Sequence, residues 1–253
     1  MRRNKPVSFS ILLTASVLLL SSSDAFGYSY NESPNGDPVR WLAPQLTVVL
    51  DTSLSRLGEV DEIREAVEEA FEVWTRTVAF PFDVELVDGE CGEGGAKIDG
   101  VSCIFAEDAA PADSDDAGAT TFVRYRSSNG AISEADVVFY ESSGPWGTSG
   151  SEGALDVFAV ASHEIGHVFG LGHSDVALAR MYPTIASGDQ WEGELSDDDV
   201  DGAKALYEGV ELDDETGPMS CSVSGAPGRP GSIWPFLAVL LALGLVYLRR
   251  IRQ

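Results

Sequence analysis

All three histidines of the chain fall inside one eleven-residue run, His163-Glu164-Ile165-Gly166-His167-Val168-Phe169-Gly170-Leu171-Gly172-His173. That run constrains the fold more than any other feature. Side chains four positions apart lie on one face of a helix, so His163 and His167 can offer two imidazoles to one point. Gly170 accepts positive φ at little cost and lets the chain leave the helix sharply. The turn then returns His173 as a third ligand. Three neutral imidazoles with one position left open make a catalytic zinc site rather than a structural one. Glu164, next to the first ligand, is placed to act as general base toward water at that open position. Histidines spread for packing or solvation would not collect in this way.

The rest of the sequence supplies a frame for that helix. Residues 46–50 are rich in β-branched side chains and read as a strand, as do the alternating stretch 82–87 and the segments 120–125 and 134–140. Val60, Ile63, Val67, Ala70, Phe71, Trp74 and Val78 recur at helical spacing. Arg64, Glu65, Glu68, Glu69 and Glu72 fill the opposite face, which makes an amphipathic helix. Residues 89–118 are rich in Gly, Asp and Ala and read mostly as loop, with a brief strand at 103–105. After a Gly/Ser loop at 142–153, a helix over 154–169 carries the first two histidines. Ser196 followed three residues later by Asp199 is a capping-box pattern, opening a last helix through Val200, Ala203, Leu206 and Tyr207. Strands and a long helix, then the motif helix and a closing helix, are α+β in character.

The two ends are set apart from this domain. Arg2, Arg3 and Lys5 precede an apolar stretch at 11–20, and Ala25 and Gly27 are small residues suited to cleavage, so residues 1–27 read as a secretory signal peptide. Residues 211–232 are acidic, then Gly/Pro/Ser-rich, and contain Cys221. Residues 233–253 form a hydrophobic anchor or sorting segment that ends in Arg249, Arg250 and Arg252. Residues 38–210 remain as one domain, long enough for a real core. The balance of 41 acidic against 16 basic residues, a formal net charge of −25, argues against nucleic-acid binding. It suits a soluble exported protein. In an oxidising compartment Cys91 and Cys103 are candidates for a disulfide. Cys221 is then the odd cysteine, which fits processing better than structure.

The histidine motif resembles that of the metzincin metallopeptidases. Ser174 after the third histidine narrows the resemblance to the matrixin branch, the relatives of matrix metalloproteinases. Met181-Tyr182-Pro183, eight residues past His173, looks like the Met-turn of that family, which implies that Met181 forms an apolar floor beneath the ligands. Residues 195–202 look like the start of its closing helix, whose aspartates would bond the Met-turn backbone. Residues 70–74 resemble its first helix, and residues 135–139 the strand before the active-site helix. The resemblance implies a metzincin-like catalytic domain with a twisted, mostly parallel sheet, an active-site helix and a closing C-terminal helix. It also implies a zinc endopeptidase that binds polypeptides, with Glu164 as base and His163, His167 and His173 on one catalytic zinc. Substrate would lie extended along an edge strand within residues 120–140, and the loop at 184–193 would set specificity.

Further expectations concern ions, partners and location. Asp113, Asp115 and Asp116 are candidate calcium ligands. No histidine remains for the second zinc that matrixins typically carry, so that site is expected to be absent. The family's inhibitory pro-segment cysteine is also missing. A monomer is expected. Cys221, the apolar stretch and the terminal arginines resemble the C-terminal sorting signals of myxobacterial surface proteins. That resemblance implies a sorting protease acting near Cys221 and a place at the cell surface or membrane. Two other readings stay open: a zinc amidase acting on cell-wall substrates, and a non-catalytic zinc-binding surface or adhesion protein. Glu164 counts against the latter, because a purely structural site has no need of a base.

Overall fold

The computed structural model describes residues 27–91, 96–111, 118–148, 153–185, 191 and 193–212. Its centre is a five-stranded sheet of order β2-β1-β3-β5-β4. Strands β1 (Gln45–Asp51), β2 (Asp83–Gly89), β3 (Ser102–Glu107) and β5 (Ile132–Tyr140) run parallel, while β4 (Ala119–Tyr125) lies antiparallel to β5 at the edge. The short strands β6 (Trp146–Gly147) and β7 (Leu155–Asp156) pair within the loop that leads to the motif helix. The helices are α1 (Val60–Thr77), α2 (Val157–Val168) and α3 (Asp197–Tyr207). This is the mixed architecture with a mostly parallel sheet that the sequence implies.

One face of the sheet packs on helices. The stripe of α1 formed by Ile63, Val67, Ala70, Phe71 and Trp74 is buried in a single core with Leu46, Val48 and Leu50 of β1 and with Val157, Val160, Ala161, Ile165 and Val168 of α2. The opposite face is covered too. Cys103, Phe105, Val138 and Tyr140 are buried there, with Cys91 and Phe122 against them. A disulfide joins Cys91, just past β2, to Cys103 in β3.

Burial of both faces explains the main departure from the sequence reading. The brief strand expected at 103–105 is the six-residue strand β3, and it is the central one. Its first five residues are all buried, and a strand covered on both sides carries no polar–apolar alternation to find. The motif helix also starts later than residue 154. Asp156 stays extended in β7, and its carboxylate accepts the Ala159 N–H at 3.0 Å, capping α2 at Val157.

Gly27 aside, the signal segment lies outside the described residues, as do Cys221, the C-terminal apolar segment and Asp113, Asp115 and Asp116. Among the described residues no helix is long and apolar enough to cross a membrane.

Candidate active site

Helix α2 is buried nearly all round, His163 and Glu164 included, and polar hooks hold it in place. The indole N–H of Trp74 donates to Ser162 O at 2.8 Å, and that of Trp41 donates to Val168 O at 2.8 Å. The Tyr207 hydroxyl donates to Phe169 O at 2.7 Å. At the C-terminus Leu171 N–H donates to Gly166 O at 3.0 Å and Gly170 N–H to His167 O at 2.9 Å, with Gly170 at φ 93°. This paired closure around a left-handed residue is a Schellman motif, and it turns the chain at the point the third ligand requires.

The structure brings the three predicted ligands together. One nitrogen of each of His163, His167 and His173 lies within 4.8 Å of the other two. His163 Nδ1 lies 2.8 Å from Arg180 O, and His167 Nδ1 lies 2.8 Å from Leu171 O. A carbonyl oxygen has no proton to give, so Nδ1 is the protonated nitrogen in both rings and Nε2 keeps its lone pair. Burial pushes the His163 pKa down to about 3. It lowers those of His167 and His173 as well, with the neighbouring His167 adding to the effect on His173. All three rings are thus neutral near pH 7, the form that binds a metal. Three such imidazoles fit zinc, a borderline-soft cation content with nitrogen ligands.

The third ligand is braced by the start of the described chain. Ser29 Oγ donates to His173 O at 2.7 Å, Gly172 N–H donates to Ser29 O at 2.7 Å, and Tyr30 bridges to Leu171. Asp198, in the first turn of α3, accepts Ser174 Oγ at 2.6 Å and the Gly27 N–H at 2.9 Å. Residues 28–38 look in sequence like a short polar lead, and no local signal marks this role.

Met181 is fully buried, with its sulfur against Gly166 of α2. A methyl group on Gly166, between the two helical ligands, would collide with Met181 Sδ and sit 2.9 Å from Trp74 Cζ2. Asp199 holds the turn by accepting Arg180 N–H at 2.7 Å and Met181 N–H at 3.0 Å. Beyond it, the Arg180 guanidinium sits 4.8 Å over the Trp191 ring, which stacks on Phe158 of α2 at 5.0 Å.

A cleft of about 500 Å³ opens over the histidines. Gly118 to Thr121, at the start of edge strand β4, form one side, and Pro183, Thr184 and Ile185 line it as well. Glu164 lines it too. Burial raises the Glu164 pKa to about 7, with the Thr121 hydroxyl opposing the shift. The Thr121 hydroxyl donates to Glu164 Oε2 at 2.6 Å. Sequence reasoning placed Thr121 in a strand and gave it no role.

The family profile described as Matrixin matches residues 40–208. Among curated proteins, human Matrix metalloproteinase-16 is 29% identical over 174 residues, which is 66% of this chain and 27% of that protein. Metalloendoproteinase 2-MMP of Arabidopsis thaliana is 52% identical over 54 residues, 21% of this chain and 14% of its own length. Human Matrilysin is 43% identical over 60 residues, 24% of this chain and 22% of its own. The chain therefore spans roughly a seventh to a quarter of the length of these relatives.

Proposed function

The chain belongs to the matrixin family, and on that premise we propose that it is an exported zinc-dependent endopeptidase acting on polypeptides. The observation that carries the reading is one arrangement. Three neutral imidazoles converge on one point, a buried carboxylate stands beside them, and an edge strand walls the same cleft.

His163, His167 and His173 would hold the metal, and in His163 and His167 the Nδ1–H is committed to a carbonyl, which leaves Nε2 as the donor nitrogen. Zinc held there supplies Lewis acidity, which makes water acidic enough to ionise near neutral pH and offsets negative charge developing on the scissile carbonyl. Glu164 takes the proton of the attacking water and passes it to the leaving amine. Burial raises the Glu164 carboxyl toward the range in which an acid–base catalyst works best, and a bound cation would oppose that rise. Among the described residues, strand β4 has a neighbour in the sheet on one side only. Its free side offers backbone groups to an extended peptide, which would add as a further strand. Thr184 and Ile185 then meet the substrate side chain nearest the scissile bond. The tail beyond the domain would keep the protein at the cell surface, with Cys221 as the processing point.

The test is hydrolysis of an unstructured protein such as casein. Cleavage that stops with a chelator, returns with zinc and is absent in Glu164→Ala supports the endopeptidase. Bound zinc with no cleavage of any polypeptide sinks it in favour of a binding role or a cell-wall amide substrate.

A further inference from the structure

The contact between Thr121 and Glu164 crosses from strand β4 to helix α2. The Thr121 hydroxyl lies 2.6 Å from Glu164 Oε2 and 3.1 Å from Glu164 O. A hydroxyl has one proton to donate, and a carboxylate is the stronger acceptor, so the shorter contact takes it. Glu164 is 7% exposed, and the Thr121 backbone N–H acts on the same carboxylate, so a substitution that keeps the backbone removes the hydroxyl contact alone.

The position of Thr121 makes the hydroxyl informative. Along β4, Ala119, Thr121 and Val123 share one face by the two-residue period of a strand, and Val123 packs against the apolar core. Valine has the shape and the strand preference of threonine. A valine at 121 would therefore serve the sheet equally well, and what it would lack is the proton donated to Glu164.

We propose that Thr121 is a positioning residue for the reaction, holding Glu164 Oε2 so that the second carboxylate oxygen faces the proton to be moved. The inference rests on the endopeptidase reading. It also joins two parts of the site. The strand that would receive substrate is the one that orients the base, so substrate seated on β4 and the carboxylate are held in one frame. A displacement of about 1 Å in a reacting group can cost about a hundredfold in rate, and loss of a supporting hydrogen bond to a metal-site residue costs about 10–100-fold.

The experiment compares full-chain wild type, Thr121→Val and Thr121→Ser in steady-state hydrolysis of an internally quenched peptide, with zinc content measured on each. Thr121→Val should lower kcat about 10–100-fold and leave KM within about threefold. Thr121→Ser, which restores the hydroxyl, should recover most of kcat. Zinc content should not change. An unchanged or raised kcat in Thr121→Val overturns the proposal, as does a serine variant no better than the valine one. A second measurement does not need turnover. In chelator-treated protein, Thr121→Val should lower the melting temperature in wild type but not in the Glu164→Ala background. Equal shifts in the two backgrounds refute the coupling. If wild type cleaves nothing while the coupling is present, the endopeptidase reading has failed and the contact stands alone as a structural one.

Discussion

Asp199 is the residue through which the closing helix controls the metal site. It is 1% exposed, and its carboxylate accepts four hydrogen bonds, from Arg180 N, Met181 N, Ser196 N and Ser196 Oγ. Three of these go to Oδ2 and one, from Met181 N, goes to Oδ1. Asp199→Asn keeps the shape but has one oxygen where there were two. If that oxygen takes the Oδ2 place, the amide NH2 faces the Met181 N–H, donor against donor, and one buried donor is orphaned. An unsatisfied buried group costs about 1–3 kcal/mol, and loss of the charge weakens the other bonds. We expect a total of about 2–3 kcal/mol, or a fall in melting temperature of about 4–12 °C for a domain of this size. The measurement is chemical and thermal unfolding with chelator present, which separates the fold from metal binding. Zinc affinity is then titrated in folded protein. The Arg180 carbonyl fixes the His163 tautomer, so a loosened turn should weaken zinc as well, by about tenfold. A variant within about 0.5 kcal/mol of wild type, the range of an ordinary surface change, with unaltered zinc affinity, would refute this account of Asp199.

Three further outcomes follow from other contacts. Gly166→Ala should gain about 1 kcal/mol if helix propensity alone mattered; the collision with Met181 Sδ and Trp74 should reverse that to a loss of about 1–3 kcal/mol, so a more stable variant in urea unfolding would show the Met181 packing to be unimportant. Breaking the disulfide, whose cysteines are 12 residues apart, should cost about 3 kcal/mol from loop-closure entropy; the urea midpoint of Cys91→Ser/Cys103→Ser against wild type checks it, and coincident midpoints would contradict it. Asp136 is pushed up to about 7 by burial, with Glu134 and Asp99 adding to the rise and the Cys103 amide and Arg124 opposing it. A carboxyl whose folded pKa is raised contributes stability that is full below its unfolded pKa of about 4 and is lost as pH rises through 7. Asp136→Asn should therefore flatten the pH dependence of stability between pH 4 and 7 relative to wild type, by at most about 1.4 kcal/mol per pH unit. Parallel curves for the two proteins would mean that Asp136 titrates normally.

What the sequence shows and what it hides divide along contact range. The identity of the ligands is local: an i,i+4 pair, a glycine turn and a third histidine lie in one window, and helix geometry makes their convergence readable. The state of those ligands is set from far away. His163 presents Nε2 because its Nδ1–H donates to the Arg180 carbonyl, 17 positions on in the chain. That carbonyl is where it is because Asp199 holds the Arg180 N–H, 19 positions further. His173 is braced by Ser29 across a separation of 144 residues, and Glu164 is oriented by Thr121 across 43. Asp199 is marked in sequence by its capping-box spacing from Ser196, but Ser29 and Thr121 have no periodicity or spacing that marks them, since a serine in a polar lead and a threonine in a strand are each what local preference would place there anyway. The central strand β3 was obscured for a related reason, because cover on both faces removes the alternation by which a strand is found. A motif window thus specifies which atoms can bind zinc, whereas the protonation, aim and strain of those atoms belong to the sheet and the closing helix. Substitutions at Thr121 and Asp199 should accordingly alter the chemistry of the site while every residue of the motif stays in place.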